Sequence, residues 1–172
     1  MTYTLRDFGE DDAEALSAIA LAAIRVGGAH GYSSSQVEAW ASRHGGADMY
    51  RHRAAKGHAI FVAVDEGDEP VAYALLEPDG HLDRLYNHPD HTRLGLARRL
   101  LLHAEAHARS NGIERLYTEA SDLARPALER AGYIVQHRRD FTIEGPDGAD
   151  VPIHNYAMEK RLDCEPEARN LR

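Results

Sequence analysis

The chain has 172 residues, of which 43% are hydrophobic and 28% charged, a composition typical of one globular domain. Its formal net charge of -8 argues against a general nucleic-acid-binding protein, which needs a basic face. The single cysteine, Cys164, excludes a disulfide framework. The N-terminal residues lack a signal-peptide pattern, and no apolar run approaches the roughly 20 residues that span a bilayer. We therefore expect a cytoplasmic protein without nucleic-acid or membrane partners.

Alternating residues at 2–8 predict a first strand, and the spacing of Leu16, Ile19 and Ile24 predicts a helix after it. The elements predicted next are helices at 36–44 and 47–55, strands at 58–65, 70–77 and 81–87, a long helix at 96–110, a strand at 113–120, a helix at 123–132, and strands at 133–144 and 150–162. Turns with Pro-Asp-Gly separate several of the strands. This order predicts one mixed α/β domain over residues 1–162 and a polar, disordered tail over residues 163–172.

The junction at residues 87–98, NHPDHTRLGLAR, joins the third strand of the central meander to the long helix. A helix N-terminus has unpaired backbone N–H groups and the positive end of the helix dipole, so a phosphate fits there. Gly95 allows close approach of the backbone to a ligand, and Arg93 and Arg98 add positive charge. The alternative is an ordinary turn followed by a solvated arginine face. The sequence contains neither a nucleotide P-loop nor a dinucleotide-binding motif.

This junction resembles the acyl-CoA signature [Q/R]-x-x-G-x-[G/A] of the GNAT (GCN5-related) N-acetyltransferase superfamily. Gly95 and Ala97 occupy the last two anchor positions, whereas Thr92 stands where Gln or Arg is usual. The family holds the pyrophosphate mainly with backbone N–H groups, so Thr92 is compatible with binding.

A second segment, SDLARPALERAGY at residues 121–133, resembles the family landmark N-x-x-A-x-x-x-Y-x-x-x-G-F. The similarity extends over about residues 3–162 and is to a bacterial branch of small acetyltransferases. It implies a GNAT-type, mostly antiparallel, twisted sheet of about seven strands flanked by about four to five helices. It also implies a single acetyltransferase domain, and relatives are often dimers, so a homodimer is an open expectation.

The resemblance implies acetyl-CoA as the acyl donor and no metal. The splayed strand of the family corresponds to residues 81–87, the pyrophosphate loop to residues 92–98, and the start of the second landmark to the other side of the cofactor. The residues implied to contact acetyl-CoA are Leu85, Tyr86, Asn87, Thr92, Arg93, Leu94, Gly95, Leu96, Ala97, Arg98 and Ser121.

In this family an amine attacks the thioester directly, so a base or a water chain must first remove a proton from the amine. Strand alternation predicts one face shared by His81, Asp83, Leu85 and Asn87. Asp83, followed by His81, is the candidate base. The alternatives are a polar His81 at the edge of a turn and an ion pair from Asp83 to an arginine such as Arg84.

The leaving thiolate needs a proton, which a tyrosine of the second landmark supplies in many relatives. Leu128 occupies that position here. The remaining candidate donors are Tyr117, Tyr133 and Tyr156, or water.

The resemblance places acceptor contacts on the early helices and the final hairpin. The candidates are Tyr32, Ser33, Trp40, His154 and Asn155. Trp40 has packing in the core as its alternative role. Tyr32 follows a flexible, glycine-containing stretch that suits a lid. The acceptor is expected to be a small amine, and the acidic balance of the chain favours a cationic one.

Two other interpretations compete with the enzyme. His103 and His107 have the i, i+4 spacing of zinc ligands, but nothing in the sequence completes a site, so a solvated helix face is expected. The second alternative retains the fold and binds acyl-CoA as a sensor or a structural module. A sensor would bind acetyl-CoA without releasing free CoA thiol.

Overall fold

A computed structural model describes residues 2–162 of the chain. Within them lie seven strands and five α-helices, which confirms the predicted mixed α/β fold. In chain order the elements are β1 (Thr4–Asp7), α1 (Ala13–Ala22), α2 (Ser34–Ser42), α3 (Gly46–Ala55), β2 (Ala59–Val64), β3 (Pro70–Leu76), β4 (Leu82–Asn87), α4 (Leu96–Ser110), β5 (Arg115–Ala120), α5 (Arg125–Arg130), β6 (Ile134–Glu144) and β7 (Asp150–Arg161). The predicted tail and Cys164 lie outside the described residues. None of the helices in residues 2–162 is long and apolar enough to cross a membrane.

The strands form two antiparallel sheets, with the orders β1-β2-β3-β4 and β5-β7-β6. The neighbouring edges, β4 and β5, run parallel and are joined by an isolated bridge between His81 and Tyr117. Two further bonds reinforce this point. The backbone N–H of Tyr117 donates to the carbonyl of Gly80 at 3.0 Å, and the hydroxyl of Thr118 donates to the carbonyl of Leu82 at 2.7 Å. The sheets therefore meet at one end of the strand pair.

A β-bulge interrupts β4 near its start. Leu75 pairs with Arg84, but the next residue, Leu76, pairs with Leu82, so Asp83 is an extra residue on β4. A bulge of this kind shifts the alternation of side chains between the two faces of a strand. Leu82 and Leu85 consequently both pack against the same core cluster, although they are three positions apart.

Helices cover both faces of the first sheet. The apolar stripe of α4, which includes Leu96 and Leu100, packs with Leu82 of β4. On the other face, Leu16 of α1 and Tyr50 of α3 pack with residues of β2 and β3. Burial of these side chains removes apolar area from water and supplies most of the stabilisation. Because β4 lies between these two layers, its side chains face either α4 or the α1 and α3 layer.

Candidate active site

The parallel strands β4 and β5 leave a gap between them beyond the His81 bridge. The backbone N–H of His88 donates to the carbonyl of Val71 in β3 at 2.8 Å, so the backbone groups of His88 point towards β3. Backbone groups alternate in direction along an antiparallel strand, so those of Leu85 and Asn87 point the opposite way, into the gap. In residues 2–162, β5 makes no backbone bond to either residue. An elongated ligand with amide groups can therefore pair with this edge.

The structure places the predicted contacts Leu85 and Asn87 at this edge. The backbone of Tyr86 faces β3, where Tyr86 pairs with Tyr73. Its predicted backbone contact with the cofactor is therefore not available from the gap. Its side chain lies on the α1 and α3 side of the sheet instead.

The loop before α4 has an unusual backbone. Gly95 is the N-cap of α4, with a φ of 77°. Because glycine has no side chain, no side chain at the cap position bonds to the first N–H groups of the helix. A Cβ added at Gly95 would meet no atom within 4 Å. Arg93 also has a positive φ of 61°, which costs about 1–2 kcal/mol for a residue with a side chain. Backbone strain of this kind is concentrated at ligand sites and switches.

The first turn of α4 supplies unpaired donors beside this loop. The first bond back to the cap runs from the N–H of Arg99 to the carbonyl of Gly95, at 3.1 Å. The N–H groups of Leu96, Ala97 and Arg98 therefore have no partner within the helix. Of the predicted loop residues, Leu96 is buried, Ala97 is half-buried, and the others, Thr92, Arg93, Leu94, Gly95 and Arg98, are exposed. The arrangement can hold an anion against the helix dipole.

The second landmark forms the other side of the open end. The hydroxyl of Ser121 accepts a bond from the N–H of Ala124 at 3.2 Å and so caps the turn before α5. Leu128 is only 2% exposed and packs in the core beside α4. The hydroxyl of Tyr133 is buried without a hydrogen-bond partner, and burial raises its pKa. Neither position therefore offers a phenol proton to a ligand in the gap.

His81 lies at the closed end and contacts two carboxylates. Its Nε2 is 2.6 Å from Oε2 of Glu119, and its Nδ1 is 3.5 Å from Oε2 of Glu77. The hydrogen bond with Glu119 raises the pKa of His81, and the same bond lowers the pKa of Glu119. The ring stacks on Tyr117 with centroids 4.9 Å apart. This arrangement favours the imidazolium form of His81.

Asp83 lies near His81 and is paired with arginines, but it does not share a strand face with Leu85. Its Oδ2 is 3.3 Å from Nε of Arg84 and 3.5 Å from Nη2 of Arg53. The predicted common face of His81, Asp83, Leu85 and Asn87 is wrong, because the bulge places an additional residue in β4. The alternative interpretation, an ion pair to Arg84, agrees with the structure.

Arg53 disfavours a metal site at the cluster of Glu77, His81 and Asp83. Ligand atoms of Glu77, His81 and Asp83 lie within 4.8 Å of one another. The guanidinium of Arg53, however, forms ion pairs with both Glu77 and Asp83. It already supplies the positive charge that a cation would bring.

The other predicted proton donors and metal ligands are also engaged. The hydroxyl of Tyr117 donates to Asp79 at 2.5 Å, and this bond raises its pKa to about 12. Tyr156 lies under the guanidinium of Arg125, 4.5 Å from the ring centroid. The rings of His103 and His107 pack edge-on against Phe61, at 4.8 and 5.3 Å, so the predicted solvated face is also a packing surface.

Several predicted acceptor contacts meet at the open end of the gap. The hydroxyl of Tyr32 accepts from the N–H of Asp122 at 2.9 Å and donates to the carbonyl of His154 at 3.4 Å. His154 Nε2 is 2.8 Å from Oδ2 of Asp122. Tyr32 is only 8% exposed, so the expectation of a lid is wrong and the residue is an anchor. Trp40 packs edge-on against Tyr32, at 5.8 Å, which agrees with its packing alternative.

The last two candidates differ in environment. Ser33 is the exposed N-cap of α2 and accepts from the N–H of Gln36 at 3.3 Å. It is therefore part of a helix cap. Asn155 has a buried side-chain oxygen with no hydrogen-bond partner, and such a group is costly unless a ligand or water satisfies it.

A polar cluster that the sequence pattern did not predict lies on the α3 side of β4. Nη1 of Arg84 is 3.2 Å from Nδ1 of His44, and the hydroxyls of Tyr50 and Tyr73 are hydrogen-bonded to each other. Burial, then nearby Arg84, lowers the pKa of His44 to about 4. Burial raises the pKa of Tyr86 to about 12. The available signal was alternation, since Arg84 and Tyr86 are polar residues two positions apart in a strand between buried layers.

Together these features define a mixed α/β protein with a candidate anion site at the end of an unpaired strand edge. An open strand edge runs to a helix start with a left-handed glycine, as the resemblance to GNAT enzymes predicts. A model of the acetyltransferase (GNAT) domain matches residues 29–146, well over half of the chain. The chain belongs to the GNAT acetyltransferase family. No curated protein sequence matches it significantly.

Solved structures agree with this assignment. A GCN5-related N-acetyltransferase from Rhodopseudomonas palustris, also described as a class-II aminotransferase, is 32% identical, with a TM-score of 0.81 over 94% of this chain and 97% of that chain. The PaiA N-acetyltransferase of Thermoplasma acidophilum, in complex with coenzyme A, is 19% identical, with a TM-score of 0.73 over 94% and 99%. A phosphinothricin acetyltransferase from Sinorhizobium meliloti, in complex with acetyl-CoA, is 18% identical, with a TM-score of 0.71 over 94% and 89%. The last two show likeness of fold.

Proposed function

We propose that the protein transfers the acetyl group of acetyl-CoA to the primary amine of a small acceptor. The carrying observation is the unpaired edge of β4, which leads directly to the open N-terminus of α4. Membership of the GNAT family supports the acyl donor, as do the coenzyme A and acetyl-CoA complexes of proteins with this fold. The proposed setting is a bacterial cytoplasm, with the protein acting as a monomer or homodimer and without metal, nucleic acid or membrane.

The pantetheine arm and the pyrophosphate of acetyl-CoA would each bind a different part of the site. The backbone of Leu85 and Asn87 would pair with the amides of the pantetheine arm. The free N–H groups at the start of α4, with Arg93 and Arg98, would hold the pyrophosphate. An N–H on the gap side of β4, such as that of Leu85, would stabilise the oxyanion formed during attack.

The reaction is an acyl transfer that needs two proton movements. The attacking nitrogen forms the new C–N bond, the C–S bond breaks, the nitrogen loses a proton and the thiolate gains one. The candidate acceptors of the first proton are Asp83 and His81, reached through water. His81 accepts a proton only when it is neutral, above its raised pKa. Because Leu128 replaces the usual tyrosine, we assign protonation of the thiolate to solvent.

The second candidate function is a non-catalytic acyl-CoA sensor. It is favoured by the two departures from the family pattern, Thr92 and Leu128. The two functions differ in turnover, because only an enzyme releases free CoA thiol when an amine is supplied.

The test of donor binding compares two glycines at opposite ends of α4. Gly95 and Gly112 have similar positive φ angles, 77° and 72°, and at each a Cβ would meet nothing within 4 Å. Gly95→Glu and Gly112→Glu should therefore carry a similar backbone cost, about 1–2 kcal/mol. Only Gly95→Glu places a carboxylate where the pyrophosphate would lie.

The measurement is the melting temperature with and without acetyl-CoA. At a hundredfold excess over its dissociation constant, the ligand should stabilise the wild type and Gly112→Glu by about 2.7 kcal/mol. Gly95→Glu should show little stabilisation. If a well-folded wild type shows no stabilisation, the acetyltransferase proposal fails. Thiol release with amines then separates the enzyme from the sensor.

A further inference from the structure

The polar cluster beside the open edge of β4 contains buried donors that make no hydrogen bond. An arginine side chain only donates, so Nδ1 of His44 accepts from Nη1 of Arg84 across their 3.2 Å contact. The proton of the neutral ring must then lie on Nε2 of His44. That nitrogen is buried without a hydrogen-bond partner, and so is Nε of Arg84, which forms an ion pair at 3.3 Å with the equally unbonded Oδ2 of Asp83. Unpaired buried donors are costly, and an anion would satisfy them.

The protonation state of the cluster is fixed near neutral pH. Burial and the charge of Arg84 lower the pKa of His44 to about 4. His44 is therefore neutral in the physiological range and continues to accept from Arg84. The guanidinium of Arg84 stays charged and remains the single cation in direct contact with His44.

The nearby carboxylates are already matched by cations. Glu77 pairs with Arg53, and Glu119 pairs with both His81 and Arg139. They leave no surplus negative charge to bind a cationic acceptor.

Asp83 is the carboxylate that contacts Arg84, at 3.3 Å, and it is shared with Arg53 at 3.5 Å. Arg53 and Arg84 thus face Glu77 and Asp83, so neither of these carboxylates lacks a cation. The donors that remain without a hydrogen bond are Nε2 of His44 and Nε of Arg84. This local balance differs from the acidic balance of the whole chain.

The position of Arg84 suits a group on the acceptor. Arg84 precedes Leu85, whose backbone points into the gap where the thioester would lie. Its side chain lies on the α3 side of the sheet, and 19% of that side chain remains exposed. A group bound there would be close to the attacking nitrogen, so it must belong to the same small molecule.

We infer that the acceptor carries a carboxylate next to its primary amine, as an α-amino acid does, and that Arg84 and His44 bind this carboxylate. The inference rests on the proposed function and names its substrate class. It replaces the cationic acceptor that the net charge of the chain favours. The bond changes are those already described, with the carboxylate unchanged through the reaction.

The experiment measures CoA thiol released from acetyl-CoA with each common L-amino acid and with its α-carboxamide. The amide retains the amine and side chain but removes the negative charge. In the wild type, the best amino acid should exceed its own amide by about tenfold or more in kcat/KM, because a site built for a polar group rejects the analogue that lacks it. Putrescine serves as the cationic comparison and should be a poor acceptor.

Variants of Arg84 test whether this residue causes the preference for the amino acid over its amide. Arg84→Gln should bring the ratio of acid to amide close to one, and Arg84→Lys, which retains a charge beside Asp83, should lower it partly. Arg53→Gln is the matched control, because it removes the other arginine beside Asp83 and leaves His44 with Arg84. Its ratio should stay near that of the wild type.

Three results would overturn the inference and leave the proposed function intact. These are better turnover of putrescine or the amides, an unchanged ratio in both Arg84 variants, and no thiol release with any amino acid although acetyl-CoA stabilises the protein. A wild type that acetyl-CoA does not stabilise overturns the proposed function itself.

Discussion

The two ends of the gap between β4 and β5 come from neighbouring residues of the same strands, yet their bonding differs completely. At the closed end, Gly80 and Leu82 accept bonds from β5, and His81 bridges to Glu119. At the open end, the backbone of Leu85 and Asn87 faces no strand within the described residues. The closed end therefore holds the two sheets together, while the open end keeps hydrogen bonds available for a ligand.

A sheet can therefore carry a binding site at a short unpaired edge without losing stability, provided that bonded residues lie next to it. Unpaired strand edges are unfavourable in a folded protein, because they expose donors and acceptors to unwanted pairing. Here the unpaired segment is short, and the cross-links of the closed end lie next to it. We expect changes at the closed end to affect folding most, and changes at the open end to affect binding most.

The largest effect should come from a methyl group at Gly80. A Cβ there would lie 2.3 Å from the carbonyl oxygen of Arg115 and 3.0 Å from the side chain of Ile113. Gly80→Ala should lower the free energy of unfolding by about 3 kcal/mol or more, since the clash adds to the cost of positive φ. Gly95→Ala, at the open end, should cost only about 1–2 kcal/mol, because an added Cβ meets no atom there and only the positive φ is unfavourable. Urea unfolding measures both, and equal losses would contradict the comparison.

A smaller effect should follow from removal of one buried hydroxyl. Thr118 is 7% exposed, and its hydroxyl bonds to the carbonyl of Leu82 at 2.7 Å. Thr118→Val keeps the shape but leaves that carbonyl without this donor, so it should cost about 1–2 kcal/mol. Thr118→Ser keeps the hydroxyl and loses a methyl group, at about 0.8 kcal/mol. A larger loss for serine than for valine in chemical unfolding would show that packing dominates here.

The smallest effect, and a pH-dependent one, should come from the ion pair of His81 and Glu119. The raised pKa of His81 means that its stabilisation is present below its usual value of 6.5 and is lost as pH rises through the folded value. The lowered pKa of Glu119 means that its stabilisation is present above its usual value of 4.5 and is lost as pH falls through the folded value. The pair should therefore contribute most between about pH 4.5 and 6.5.

A double-mutant cycle of Glu119→Gln and His81→Gln measures this contribution. Both side chains are partly exposed, so the coupling should be below about 1 kcal/mol even in that window. It should fall away on the alkaline side and at strongly acidic pH. A coupling that is constant from pH 4 to 9 would show that the charges of the pair do not matter.

The sequence predicted the parts of the fold that depend on local pattern. Alternation and turn residues located the three meander strands to within a residue or so, and the pattern around Gly95 indicated the start of α4. Leu85 and Asn87 lie at the open edge of β4, the strand to which the resemblance assigns cofactor contacts, and their role in binding stays a prediction. In each case the signal lies within a few consecutive residues.

The remaining parts depend on contacts between distant segments. A bulge leaves no signature in a single strand, so Asp83 was placed on the wrong face. Glu119 meets His81 only because β5 returns beside β4. His44 and Arg84 are 40 positions apart, and their pairing follows from the way α3 and the turn before it pack on the sheet. The periodicity of neighbouring residues in the sequence does not predict contacts between such distant positions.

The backbone around Arg93 and Gly95 has a consequence for the speed of binding. Both residues have left-handed φ angles, 61° and 77°, so the turn is already bent towards the start of α4. The entropy of ordering it is lost when the chain folds rather than when a ligand arrives. Association with a phosphate group should then proceed in one exponential phase, with a rate that rises linearly with ligand concentration and shows no plateau from loop closure.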